Sequence, residues 1–371
     1  MAVSKIFPIQ DTTLYSNQPD ANTGLDSICE IFNKYELSGN PSVARYLSLY
    51  DNTEINDTID NLISGSPYQV YLKNYISTAY GITQPVDVNI LAVAQEWNNG
   101  TGYYGDLPAE TNGACWTSPT ISGAASWNMS GSYNSFAYTG SYVSEYGGGN
   151  WYTTSSLSTS TEQFIQRSIK DIEVDVTNIV NAWHNSDIPN HGFITKLSSS
   201  HEFIPNLDLQ PTLKYYSVDT NTIYPPYLEF RWDDYKTVLT ASATSSIVST
   251  TDLKLSLSEN PGTFTPEDIN RFYVNVSPLY PTRVFQTSSL FTSTHYLPTS
   301  SYYAVKDLDT NEFVIIFDET YTKISSDSRG NYFDLYMSGL ETDRYYQILI
   351  KTTINGTTRI FDDNYYFKIV N

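Results

Sequence analysis

The sequence predicts an all-β protein built as two β-sandwiches in series. Three observations carry that expectation. The chain has 371 residues with 32 Tyr and is rich in Ser, Thr and Asn; aromatic and β-branched residues suit pleated strands. Long Ala/Glu/Lys/Leu runs, the mark of helix bundles, are missing. Short alternating segments recur along the chain, separated by clusters of turn-forming residues. The length is enough for two domains. We place the first over 1–234, a Ser/Thr-rich linker over 235–250 and the second over 251–371.

In the first domain, strands are expected at Thr12–Tyr15, Ser27–Phe32 and Val43–Tyr50, separated by NQPDANTG and LSGNPS. Alternation in the third is imperfect. A short helix is expected over Glu54–Ile63: Ile55, Ile59, Leu62 and Ile63 share a face, acids sit in the first turn, and Gly65 suits a left-handed stop. Strands follow at Gln69–Ile76 and Val86–Ala94, the latter with Val86, Val88, Ile90, Ala92 and Ala94 on one side. Residues 98–162 read as a long irregular insertion, rich in Gly, Ser, Tyr and Trp, with GGGN at 147–150 as a flexible or tightly turned loop.

The first domain is organised around residues 169–197. Ile172, Val174 and Val176 end a strand, and Asp175 is placed to cap a helix. Val176, Ile179, Val180 and Trp183 then fall on one helical face. A turn at 185–190 leads to a strand at Phe193–Leu197. So short a helix is not stable alone, so it should plug an open end of a sheet sandwich. Closing strands are expected at Thr212–Ser217 and Tyr227–Trp232.

The second domain shows alternating strands around Leu253–Leu257, Phe272–Val276, Tyr302–Lys306, Phe313–Phe317, Tyr332–Met337, Tyr345–Thr352 and Asn364–Val370. A helical turn is expected at TPEDI, with Thr265 as cap and Pro266 first. Asn355-Gly356 is a hairpin signal. Such a strand count suits an Ig-like or fibronectin-like sandwich.

DVTNIVNAW followed by GF and a strand, together with DTTLYSNQPDANTGLDSICEI at 11–31, resembles the DNRLRE-type jelly-roll domain, which is related to some carbohydrate-binding modules. The first domain is therefore expected to be a jelly-roll β-sandwich with short capping helices. The strings IYPPYLEFRWDD at 223–234 and RYYQILIKTTINGTTRIFDDNYYFKI near the C-terminus resemble virion structural proteins of T4-like tailed phages of marine bacteria. That resemblance implies a non-enzymatic scaffold or connector in a tail, baseplate, neck or fibre attachment. Its implied partners are other virion proteins and copies of itself. MAVSKIFPIQ lacks an apolar signal-peptide core, and no run approaches the ~20 apolar residues of a membrane span. A protein made in the host cytoplasm and carried in the virion is expected, with no membrane partner.

A net charge of −20 and a pI near 4.4 oppose nucleic-acid binding, because a polyanion repels phosphates. Cys29 and Cys115 show neither a disulfide framework nor zinc spacing, so they read as small buried side chains or free thiols. His184, His191 and His201 lie close in sequence, with His295 apart, but fit no metal-ligand spacing. No nucleophile elbow, phosphate loop or dinucleotide fingerprint occurs, and no catalytic residue, cofactor or metal site is assigned. Asp11, Asp20 and Asn22 are candidate Ca²⁺ ligands, because some modules related to the jelly roll bind Ca²⁺ near this position; a solvated turn is the competing reading. Tyr103, Tyr104, Trp116, Trp127 and Trp151 are candidate contact aromatics. Exposed on one surface they would stack on glycan rings, as an adhesin requires; otherwise they anchor the insertion or a neighbouring subunit.

Overall fold

The computed structural model describes residues 2–35, 41–121, 123, 125–127, 133–134, 147–163, 171–202, 209–237, 250–280 and 294–370. Positions 169–170, most of the 235–250 linker and part of the insertion lie outside these. The protein is mostly β, with two short α-helices among the described residues. Its contacts divide it into two units. The first comprises Ile6–Ile59 and Gln69–Glu229; the second comprises Met1–Lys5, Asp60–Tyr68 and Phe230–Asn371. The division is not one cut in the chain, because two short early segments pack with the C-terminal part.

The strands up to the division are β1 (Ala2–Ile6), β2 (Pro8–Tyr15), β3 (Ile28–Tyr35), β4 (Pro41–Tyr50), β5 (Tyr68–Asn74), β6 (Ile76–Tyr80), β7 (Val86–Ala92), β8 (Tyr133–Asn134), β9 (Trp151–Tyr152), β10 (Ser158–Gln163), β11 (Ile172–Asp175), β12 (Phe193–Leu197), β13 (Thr212–Tyr216) and β14 (Tyr227–Trp232). In the first unit, a large sheet runs β10-β7-β12-β4-β3-β13-β6, with β2 also paired to β4. A small sheet sets β14, β5 and β11 side by side. Val70, Leu72 and Asn74 alternate into the interior from β5, and Ile172 and Val174 from β11. Asn74 Nδ2 donates to the Tyr46 hydroxyl, joining the small sheet to the large one. The alternation of β7 holds over Val86, Val88, Ile90 and Ala92, which are buried, but the strand ends at Ala92, short of the expected Ala94, and Val93 is buried as well.

The central stretch links the two sheets. Helix α2 (Thr177–His184) follows β11 directly and buries Ile179, Val180 and Trp183. Trp183 packs on Phe193 of β12, with ring centroids 4.7 Å apart. The helix therefore carries the chain from the small sheet to the large one and fills the space between. Asp175 accepts from the Thr177 amide at 2.8 Å, so it caps the turn that opens the helix, while Val176 is the N-cap residue itself. Helix α1 (Asn52–Asp57), capped by Asp51 accepting from Thr53, continues as wider π-helical turns over Thr58–Ile63. Ser64 and Gly65 then take left-handed backbone and stop it.

Two expectations change. The insertion is not irregular to its end, because β10 pairs antiparallel with β7. And TPEDI is a tight turn, not a helix: the Asp268 amide bonds the Thr265 carbonyl, and the Asp268 carboxylate takes the Thr265 amide. A cap with only three residues before the next strand has no turns to propagate into.

The second unit contains β15 (Leu253–Ser258), β16 (Thr263–Phe264), β17 (Ile269–Pro278), β18 (Ser301–Asp307), β19 (Phe313–Ile315), β20 (Ser325–Ser326), β21 (Asn331–Tyr336), β22 (Tyr345–Ile354) and β23 (Thr357–Ile369). One sheet runs β15-β17-β21-β20 and the other β16-β23-β22-β18-β19. One apolar core draws on both, including Phe272, Phe333, Tyr303, Ile348 and Phe367. Tyr303 of one sheet stacks on Phe333 of the other at 4.2 Å and 15°, which makes the unit a sandwich. Asn355 and Gly356 both have positive φ and turn β22 into β23, the backbone that a two-residue hairpin of matching twist requires.

Candidate functional site

The feature that distinguishes the first unit is what covers the outer face of its large sheet. Every residue of β4 except Leu49 is buried, so both of its faces are covered. Val43 and Leu47 of β4, with Ile194 of β12, pack in one cluster with Trp97, Trp116, Trp127 and Trp151. The tryptophans therefore face the chain's own sheet: Trp116, Trp127 and Trp151 are at most 4% exposed. Indole N–H groups finish the attachment. Trp127 Nε1 donates to the Cys115 carbonyl at 3.1 Å and Trp97 Nε1 to the His191 carbonyl at 2.8 Å.

A buried charge cluster lies under this layer. Arg45 of β4 makes a bidentate pair with Glu202, both contacts at 2.9 Å. Lys196 of β12 reaches the same carboxylate at 2.9 Å. All three side chains are almost fully buried. The Arg45 guanidinium also lies 4.9 Å from the Trp116 ring centre and 5.2 Å from that of Trp151, within cation–π range. Its Nη1 donates to the Gly148 carbonyl at 2.7 Å. Burial pushes the Glu202 carboxyl up, but Arg45 and Lys196 together pull it below its usual range. Lys196 is the weaker cation: burial lowers it and Arg45 adds to that, with Glu202 only partly offsetting.

The GGGN stretch is tightly turned. Gly147, Gly148 and Gly149 all have positive φ, and a Cβ on Gly148 would meet Arg45 Nη1 and the Trp116 ring at 2.6 Å. Glycine is needed here both for backbone conformation and for close approach.

The candidate Ca²⁺ ligands point to different partners. Asn22 organises the start of the insertion: its Nδ2 donates to the Asn99 and Ala114 carbonyls at 2.6 and 2.9 Å, and its Oδ1 accepts from the Gly24 and Gly102 amides. Asp20 accepts from the Thr117 hydroxyl at 2.9 Å. Asp11 is buried and accepts from the Val218 amide at 2.7 Å. Among the described residues no three His, Cys, Asp or Glu side chains cluster as a metal site would need. His184 meets Asn56, His201 meets Ser198, and the carbonyls of His191 and His295 accept from Trp97 and Asn331. Cys29 and Cys115 are buried free thiols.

Burial pushes the Asp11 carboxyl up to about 7; the Val218 amide opposes this and Asp219 adds to it. A carboxyl raised in the folded state costs stability as pH rises from the unfolded value to the folded one. Between pH 8 and pH 5 the protein should therefore gain stability from this group. Asp11→Asn keeps an acceptor for Val218 and should remove that gain, worth about 3 kcal/mol over this pH range, as read from denaturant unfolding at the two pH values.

Tyr103 and Tyr104 are placed differently from the tryptophans. They are 50% and 43% exposed. Tyr104 stands against the buried ring of Tyr15, with centroids 4.6 Å apart. The backbone beneath both is pinned by carboxylates: Asp106 accepts from the Tyr103 amide at 2.8 Å and Asp26 from the Tyr104 amide at 3.2 Å. A cavity of about 530 Å³ opens beside Tyr104, walled by Pro19, Ala21 and Leu107, with Asp20 and Asp106 among its lining. Burial raises the Asp26 carboxyl to about 6, opposed by the Tyr104 amide and reinforced by Glu30 and Asp106. Lys214 reaches this corner and pairs with Glu30.

The fold and these sites define an all-β protein of sandwich-type units with a tryptophan-anchored insertion. No protein family and no curated protein matches the chain. Sequence reasoning singled out the five aromatics but did not separate buried from exposed ones. It missed Arg45, Lys196 and Glu202, whose spacing of up to 157 residues leaves no local signal.

Proposed function

We propose that this chain is a non-enzymatic structural component of a tailed-bacteriophage virion, a scaffold or connector in the tail, baseplate, neck or fibre attachment. The observation that supports it is the use of the insertion. Its tryptophans pack on the chain's own large sheet over a buried ion cluster, so the described parts of the insertion become a firmly packed outer layer. Packing of that kind suits a part that positions neighbours rather than one that closes on a substrate. The resemblance of the strings at 223–234 and near the C-terminus to virion proteins of T4-like marine phages points the same way. The partners would be other virion proteins and further copies of this chain, since virion positions are symmetric.

A second reading, a carbohydrate-binding adhesin, is favoured only by the exposure of Tyr103 and Tyr104; Trp116, Trp127 and Trp151 are not available to it. Cryo-electron microscopy of particles from the encoding phage tests both. Density for the chain at a symmetric position, in contact with neighbours, is the expected result. Density at the periphery with Tyr103 and Tyr104 facing outward and touching no neighbour favours the adhesin. Particles without the chain overturn the virion reading.

A further inference from the structure

The cavity beside Tyr104 has a chemistry of its own. It combines an exposed aromatic face, apolar walls and a carboxylate rim. Tyr104 is held from behind by Tyr15 and through its amide by Asp26, so the platform is formed before any ligand arrives. Pro19, Ala21 and Leu107 supply apolar wall, and Leu107 is 97% exposed. Asp20 and Asp106 carry negative charge into the same space, and Asp26 and Glu30 lie close by. The cation that reaches this corner, Lys214, pairs with Glu30. A cation over an aromatic face gains from the ring quadrupole, and a carboxylate rim adds charge-assisted hydrogen bonds. Apolar walls suit an aliphatic stem rather than a bare metal ion.

We propose that this cavity binds a guanidinium or alkylammonium group on an apolar stem, presented as an arginine or lysine side chain by a partner protein. Only the identity of that partner, another virion protein, rests on the proposed function. A preformed pocket limits the entropy lost on binding, and the carboxylates set the preference for charge over a neutral isostere.

The test uses the full chain labelled at leucine methyls, with Leu107 as reporter in the wall. N-acetyl-arginine amide is titrated against N-acetyl-citrulline amide, which has the same shape without the charge. The expected result is a saturable Leu107 shift with the arginine compound, weaker at high salt, and little shift with citrulline. Asp20→Asn and Asp106→Asn keep acceptors for Thr117 and Tyr103 and should each weaken binding about two- to fivefold. Tyr104→Ala should weaken it about as much or more. Unchanged leucine shifts elsewhere show that each variant is folded. Equal shifts with citrulline, a shift with methyl glucoside but not with arginine, or no shift with any probe would each overturn the proposal. Particles that lack the chain, together with an arginine-dependent shift, would remove the virion reading and leave this site standing.

Discussion

Replacing Glu202 by glutamine should lower the stability of the first unit by ~3–5 kcal/mol, because it leaves buried cations without their counter-ion. Arg45 and Lys196 both end on this carboxylate. Water has little access to take its place, since the Arg45 and Glu202 side chains are 0% and 1% exposed. The contrast within the cluster is the sharper part of the expectation. Lys196→Met should change stability by less than ~1 kcal/mol, since Arg45 and Glu202 still pair and one uncompensated charge leaves the interior. Denaturant unfolding of the two variants beside the wild type checks this. Equal losses would mean that the three groups do not divide as two cations sharing one anion. The sign with pH follows from Glu202. Its carboxyl is held below the usual range in the folded protein, so its contribution is fully present above the unfolded value near 4.5 and is lost as pH falls through the folded value. Glu202→Gln should flatten the acid limb of the stability curve.

Trp116→Ala should cost ~3–5 kcal/mol, the range for emptying a buried aromatic site. Trp116 is 1% exposed, packs with Val43, Leu47 and Ile194, and lies against Arg45. Its carbonyl also accepts from the Gly148 amide at 2.7 Å. Removing the ring should release the edge of the insertion, so limited chymotrypsin digestion under native conditions should cut first within 98–162. Tyr103→Ala, at a half-exposed position, should shift stability by under ~1 kcal/mol. If Trp116→Ala were as mild, the insertion would be draped on the sheet rather than built into it. Because the ring contacts Arg45, losses from Trp116→Ala and Glu202→Gln should not add.

Much of the architecture could be read along the chain. The 172–197 stretch was legible because its signals are local. Ile172 and Val174 mark a strand by alternation, Ile179, Val180 and Trp183 share a helical face, and Asp175 sits where a turn needs an acceptor. The same holds for the Asn355-Gly356 hairpin and the alternation of β7. The imperfect alternation of β4 carried a meaning that sequence alone did not disclose. A strand buried on both faces has no polar side to alternate with, and β4 is covered outside by the insertion.

The sequence by itself determined the strand-forming composition, the local turns and the helix that joins the sheets, because each depends on residues a few positions apart. Tertiary structure alone decided which aromatics serve the core and which face solvent. Trp116 and Tyr104 lie twelve residues apart in similar Gly- and Thr-containing surroundings, yet one closes over Arg45 and the other lines an open cavity. Tertiary structure also brought Arg45 to Glu202 across 157 residues. Burial and charge pairing are properties of what the chain places opposite a residue, and no periodicity encodes that.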